Sequence, residues 1–293
     1  EIEESTRAPF LGEIPEVEES AKKKMQNRRL RAQGKRIPIN LKYDSKSKGL
    51  LTESFRILST NIDFMRDTNK KSHVITVSSF NVGAGKSFVM MNLAACFADN
   101  KKKVVIVDLD LRKRTTSRHF GLMHKQRGAS NFLYDNDLKL EEILKHEVLP
   151  GVDFVPAGMI PPNPVELLRR DRLDQLVNEL RERYDVVMLD NVPVDIVADA
   201  SIIDRVVDTT LFVVRAGVID RRMLELLDNM YEEGRFHNMG IILNGSVIRR
   251  SYGGNYGYGY GYGYGYGYGY GYGYGYGQGY GEAEAKEDKD VLS

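Results

Sequence analysis

The chain has 293 residues, enough for one large domain or two small ones with a substantial apolar core. Its 42 Lys and Arg nearly cancel its 41 Asp and Glu, and a net charge of +1 gives no reason to expect a nucleic-acid partner. The single cysteine excludes an intrachain disulfide and fits a reducing compartment, and no apolar run approaches the roughly 18 residues of a membrane span.

The N-terminal part is rich in charge. Residues 1–50 show no sustained periodicity and are predicted to be a linker segment, whose basic stretch 22–36 suits either anionic lipid head groups or a solvated surface. Residues 51–66 repeat apolar side chains at steps of three and four, which predicts an amphipathic helix. On its polar side Glu53 and Arg56 are neighbours, and by themselves they would form a surface ion pair of little energetic weight.

Residues 78–87 (SSFNVGAGKS) predict a phosphate-binding loop. A β-branched run precedes the segment and a helical run, 88–100, follows it. Glycine lets successive backbone N–H groups point at an anion, Lys86 would reach the β and γ phosphates, and the Ser87 hydroxyl would bind Mg²⁺. The strict pattern has glycine where Phe80 stands. The simpler alternative is a glycine turn between a buried strand and a helix, and the context favours the phosphate loop.

Beyond the loop, short Val/Ile/Leu runs alternate with helical segments, and only residues 111–150 are less regular. This alternation predicts an α/β fold of the phosphate-loop NTPase type: a mostly parallel sheet with helices on both faces, in a domain covering residues 51–250. The predicted strands are 73–77, 103–110, 151–158, 184–190, 210–215 and 240–244, and the predicted helices after the loop are 88–100, 140–145, 164–183, 198–205 and 221–233.

Polar side chains stand at the carboxyl ends of three predicted strands: Asp108, Asp110, Asp190 and Asn244. Ligands bind at this edge of a parallel sheet, although each residue alone could be a turn former or helix cap. A phosphate loop, Asp-ended strands and Mg²⁺ make a phosphoryl-transfer site. One carboxylate is expected to hold Mg²⁺ through water, and another to accept a proton from an attacking hydroxyl.

The C-terminal segment differs in kind. Residues 252–281 are almost pure Gly-Tyr and hold 13 of the 17 tyrosines, so 251–293 is predicted to be a disordered tail. It is either an adhesive low-complexity segment or a set of phosphate acceptors, and at roughly 30 Å end to end it could enter a neighbouring subunit's site. The candidate acceptors are Tyr252, Tyr256, Tyr258, Tyr260, Tyr262, Tyr264, Tyr266, Tyr268, Tyr270, Tyr272, Tyr274, Tyr276 and Tyr280.

The phosphate loop, residues 105–113 (VIVDLDLRK), the strand ending at Asp190 and the tyrosine cluster together resemble the bacterial tyrosine kinases of capsule and exopolysaccharide export. The resemblance extends from about Phe10 to the tail. Residues 11–15 (LGEIP) are similar to the segment that follows the second membrane helix where a chain-length regulator and the kinase are fused.

The resemblance implies a role for each matching residue. Catalysis would use Lys86, Asp108 and Asp110, with Asp108 activating the incoming tyrosine. The metal would be held by Ser87, Asp110 and Asp190. ATP would be bound by Val82, Gly83, Ala84, Gly85, Lys86, Ser87, Phe88 and Asn244, the last near the adenine.

The resemblance also implies an assembly and a location. Glu53 and Arg56 would form a ring-like homo-oligomer in which each tail enters the next subunit's site. The chain would be a fragment of a membrane protein at the cytoplasmic face of the bacterial inner membrane, with a transmembrane regulator and a tyrosine phosphatase as partners. Three positions depart from the family pattern: Phe80 in the loop, Ser59 in place of the ring motif's second arginine, and residues 191–193 (NVP) after the third carboxylate.

Two other functions are compatible with the residues. A switch ATPase like the septum-site and plasmid-partition proteins would share the fold, but the second lysine that such proteins carry near the start of the loop is absent. A structural regulator with a sticky tail is the other. The tyrosine-rich tail on the same chain favours the kinase.

Overall fold

The computed structural model describes residues 2–17, 25, 29, 41–122, 126–191 and 202–247. Most of the basic stretch 22–36, the tail with its candidate acceptor tyrosines, the Val-Pro of the NVP segment and the first half of the predicted helix 198–205 lie outside these residues. No helix in the described part of the chain combines the length and the apolarity that crossing a membrane requires.

The described strands form one eight-stranded sheet. They are β1 (Phe10–Pro15), β2 (His73–Ser78), β3 (Val104–Asp108), β4 (Lys145–Leu149), β5 (Val152–Val155), β6 (Val186–Asp190), β7 (Thr209–Arg215) and β8 (Met239–Ser246). Their order is β1-β8-β7-β2-β6-β3-β5-β4, and every pair is parallel except β4 with β5. The predicted mostly parallel α/β sheet is confirmed.

The described helices are α1 (Ile2–Ser5), α2 (Leu50–Phe64), α3 (Lys86–Asp99), α4 (Thr115–His119), α5 (Ala129–Tyr134), α6 (Leu140–Ile143), α7 (Pro164–Arg169), α8 (Arg172–Arg183) and α9 (Arg221–Glu232). The helix predicted over 164–183 is interrupted because Arg170 adopts an extended backbone (ψ 146°). Its side chain donates to the carbonyl of Tyr134 at 3.4 Å, which holds the break against α5. The less regular region contains α4 and α5, which were not predicted.

The N-terminal segment, predicted as a linker and N-terminal segment over residues 1–50, contains a strand that the sequence did not predict. This strand, β1, pairs in parallel with β8 at the edge of the sheet. Leu11 and Ile14 are 4% and 0% exposed, and Asn61 of α2 donates its side-chain N–H to the Leu11 carbonyl at 2.8 Å. The strand is short, contains an exposed Glu13 and has a register shift beside Gly12, so its sequence shows no regular alternation.

Helices cover both faces, as predicted. On one face α2 and α3 bury apolar side chains such as Phe55, Leu58 and Leu93, each 0% exposed. On the other face α5 and α8 cover β3 and β6, while α9 covers β7 and β8. Each fully buried Leu or Phe stabilises the fold by about 1.5–3 kcal/mol. Because every pair except β4 with β5 is parallel, the carboxyl ends of the central strands share one edge of the sheet.

Candidate active site

The phosphate loop lies between the end of β2 and the start of α3. Gly83 and Gly85 have φ angles of +90° and +101°, a backbone conformation that residues with a side chain rarely adopt. A Cβ at Gly85 would also clash with the side-chain amide of Asn244. That amide donates to the Ala84 carbonyl at 2.8 Å, so Asn244 supports the loop directly from β8. The backbone is shaped as an anion cradle at a helix N-terminus.

Lys86 reaches across this loop. Its Nζ donates to Ser79 Oγ at 3.1 Å, and Ser79 Oγ donates in turn to the Asn81 carbonyl at 2.9 Å. Val82 is 68% exposed at the tip of the loop. The Phe88 ring packs edge-on against Phe55 with centroids 6.0 Å apart, so a contact of Phe88 with nucleotide would use its backbone.

The carboxylates lie beside the loop because the strands are in register. Asp190 on β6 is the partner of Val77 on β2 and of Asp108 on β3. Asp108, Asp190 and Asp110 are 0%, 2% and 6% exposed. Ser87 Oγ donates to Asp190 Oδ2 at 3.4 Å. The structure therefore brings the predicted loop, carboxylates and Asn244 to one edge of the sheet.

Two hydroxyl residues of α4 complete the site, and sequence analysis missed them. The Thr116 hydroxyl donates to Asp190 Oδ2. Ser117 donates to Asp108 Oδ2 from its backbone N–H at 2.8 Å and from its hydroxyl at 2.6 Å, and that hydroxyl accepts from Ala157 N–H at 3.0 Å. A run of three hydroxyl residues (TTS, 115–117) soon after the DLD segment was the available signal.

The environment of the two buried carboxylates opposes their ionisation. Burial raises the pKa of Asp108, and the charge of Asp190 raises it further, while the Ser117 hydrogen bonds oppose the rise. Burial also raises the pKa of Asp190 to about 6, against the lowering effect of the Thr116 hydroxyl and the Lys86 charge. A divalent cation at this edge would balance the charge.

The donor set fits Mg²⁺ bound together with a nucleotide. Among the described residues, no three His, Cys, Asp or Glu side chains converge into a metal site of their own. Magnesium commonly takes only one or two carboxylates and completes its shell with water and phosphate oxygens. Asp190 beside the Ser87 hydroxyl meets that requirement. Asp110 lies next to them, and its Oδ1 accepts Lys113 N–H at 2.9 Å.

The predicted assembly residues lie on α2, away from this site in sequence. Arg56 forms an ion pair with Glu53 and donates to the Ser45 carbonyl at 2.7 Å, so it also organises the segment preceding the helix. Ser59 is 2% exposed and donates to the Arg56 carbonyl at 2.8 Å. An arginine in place of Ser59 would put a long charged side chain at a buried position of α2.

Fold and site together define a phosphate-loop nucleotide-binding protein, and a family model described as an AAA domain (AAA_31) matches residues 72–212. The tyrosine-protein kinase Etk of Escherichia coli K12 is 34% identical over 80% of this chain and 32% of Etk. A putative tyrosine-protein kinase in the cps region of Klebsiella pneumoniae is 33% identical over 71% of this chain and 30% of that protein.

Among solved structures, the BceF tyrosine kinase domain is 33% identical with a TM-score of 0.68, over 83% of this chain and 96% of that domain. The chain therefore belongs to the bacterial tyrosine-protein kinases and corresponds to their kinase domain. It spans about a third of the length of the curated relatives that it matches.

Proposed function

We propose that this chain is an ATP-dependent protein tyrosine kinase that phosphorylates its own C-terminal tyrosines, with the tail of one copy entering the site of another. The observation that carries the proposal is the convergence of Lys86, Ser87, Asp108 and Asp190 on a chain that also carries 13 clustered tyrosines within residues 252–280. An ATPase, in which water is the phosphate acceptor, would not need a tyrosine-rich tail.

Each residue has a part in the proposed transfer. ATP would supply the phosphoryl group, and Mg²⁺ would neutralise charge on its oxygens. The loop N–H groups hold the phosphates, and Lys86 exchanges Ser79 Oγ for a phosphate oxygen. Ser87, Asp190 and Asp110 would hold the metal. Asp108 would accept the proton of the tyrosine hydroxyl as that oxygen forms its bond to the γ phosphorus and ADP leaves.

The biological setting is part of the proposal. The Klebsiella relative is named from a cps region, which supports a role in capsule or exopolysaccharide synthesis and export. We infer a transmembrane regulator fused upstream or separate, a position at the cytoplasmic face of the inner membrane, and a phosphatase that resets the tail. A ring-like homo-oligomer through Glu53 and Arg56 would present each tail to its neighbour.

Intact mass measured after incubation with Mg²⁺-ATP tests the activity. Wild type should gain a ladder of phosphate additions that map to residues 252–280, and Lys86→Met, which removes the phosphate-binding ammonium, should gain none. The same reaction is assayed for free phosphate. Hydrolysis of ATP without any addition to tyrosine would assign the chain to the switch ATPases instead.

Transfer between copies is tested by mixing. Full-length Lys86→Met chain is incubated with an otherwise wild-type chain ending at residue 250, which has a site but no tail. Phosphate on the Lys86→Met chain is expected, because only another copy can supply the active site. If neither partner is modified while full-length wild type modifies itself, transfer occurs within one chain.

A further inference from the structure

Phe80 occupies the loop position where the strict phosphate-loop pattern has glycine. The Phe80 side chain is only 3% exposed. Its ring packs edge-on against Phe212 of β7, with centroids 4.8 Å apart and an interplanar angle of 66°. The residue therefore belongs to the packed interior, although it is part of a loop.

Phe80 joins a defined apolar group, here called the α9 cluster. Its buried members are Ala8, Phe80, Phe212, Val214, Leu227, Met230, Met239 and Ile241. The other members come from the N-terminal segment, β7, β8 and α9. The start of the phosphate loop therefore packs against four parts of the domain. An edge-to-face aromatic pair contributes beyond the area that it buries.

The middle of the loop is supported less closely. A cavity of about 100 Å³ lies between loop residues 80–84 and the residues Val213, Arg215, Val218 and Ile219. Val82 is 68% exposed, and a Cβ at Gly83 would meet only open space. The loop is thus held at two points. Phe80 packs into the α9 cluster at its beginning, and Asn244 bonds to the Ala84 carbonyl near its end, while the segment between them is loosely packed.

We propose that Phe80 is a positioning residue that preorganises the phosphate loop for nucleotide binding. A glycine here would free the backbone, and ordering it again on binding would cost affinity. The strict motif predicts the opposite, since glycine at this position would restore the usual pattern. The inference rests on the proposed function, because it presupposes that this loop binds nucleotide.

The test measures the dissociation constant of ADP with Mg²⁺ by calorimetry, together with the melting temperature, on the full 293-residue chain. Phe80→Gly is expected to weaken ADP binding by about tenfold. Phe80→Leu, which keeps an apolar anchor, should stay within about threefold of wild type. Leu227→Ala removes a buried member of the same cluster from α9, so it should lower the melting temperature and leave affinity within about twofold.

Two results would overturn the inference: Phe80→Gly binding ADP as tightly as wild type, or Leu227→Ala weakening binding as much as Phe80→Gly. If Phe80→Gly does not fold, Phe80→Val takes its place under the same criteria. Wild type that binds no ADP would instead refute the proposed function, so the two failures are distinguishable.

Discussion

At the residue scale, hydroxyl groups orient Asp108 and Asp190, the two most buried carboxylates of the site. Ser117 bonds Asp108 Oδ2 through both its N–H and its hydroxyl, and the Thr116 hydroxyl bonds Asp190. Both residues come from α4, a five-residue helix that begins after Arg114 in a left-handed conformation (φ 51°). The turn at Arg114 thus decides which way the two hydroxyls point.

Ser117→Ala tests this arrangement. The change removes one donor to Asp108 and leaves the Ala157 N–H without its acceptor, so we expect a loss of about 1–3 kcal/mol in unfolding free energy. Phosphorylation kcat should fall about tenfold or more, because Asp108 loses its fixed orientation, while ADP affinity is kept. Thr115→Ala, at the exposed neighbouring position of α4, is the control and should match wild type in both. An unchanged kcat in Ser117→Ala would show that the hydroxyl only supports the fold.

At the scale of elements, the strand before the phosphate loop begins with a buried histidine. His73 is 2% exposed; its Nε2 lies 2.8 Å from Thr209 Oγ1 on β7, and its Nδ1 has no hydrogen-bond partner among the described residues. Burial lowers the pKa of His73 to about 4. Folding therefore holds the imidazole neutral at the start of β2.

This histidine predicts a pH dependence of stability. Its folded pKa lies below the usual 6.5, so the unfolded chain binds more protons between these values. The contribution of neutral His73 to the unfolding free energy is therefore fully present above pH 6.5, and it is lost as the pH falls from 6.5 to 4. Between pH 7 and pH 4, wild type should lose about 2–3 kcal/mol more unfolding free energy than His73→Gln, measured by urea denaturation. Parallel losses in the two proteins would contradict the buried neutral state.

At the scale of the whole molecule, the N-terminal strand belongs to the domain that carries the site. β1 covers the edge of β8, the strand that supplies Asn244, and its Ile14 is the register partner of that residue. Arg7 adds an ion pair to Glu232 of α9, and Glu16 adds one to Arg215 at 3.0 Å. The segment is thereby connected to α9 and to the end of β7.

Truncation tests the boundary of the domain. A chain starting at residue 41 loses β1 with its buried Leu11 and Ile14, so its melting temperature should fall by at least about 10 °C. A chain ending at residue 250 keeps every described strand and should melt within about 2 °C of wild type. Equal melting of all three proteins would restore the original prediction that residues 1–50 are a linker.

The sequence by itself determined the class of fold and where the site would be. Short, continuously apolar strands separated by helices favour a parallel sheet covered on both faces. In such a sheet the strand ends share one edge, so Asp108, Asp190 and Asn244 could be placed beside the loop from their positions alone. The glycines and Lys86 were recognisable because phosphate binding demands particular residues at particular spacings.

Only the tertiary structure decided the contacts that depend on distant segments. β1 was not recognisable because an edge strand of six residues has too little periodicity, and its partner β8 lies more than 200 residues away. Thr116 and Ser117 became site residues through a local left-handed turn. Phe80 and Ser59 appeared as departures from family patterns until packing showed both side chains to be buried. Burial is a property of the assembled core, because it is set by neighbours that the local sequence does not contain.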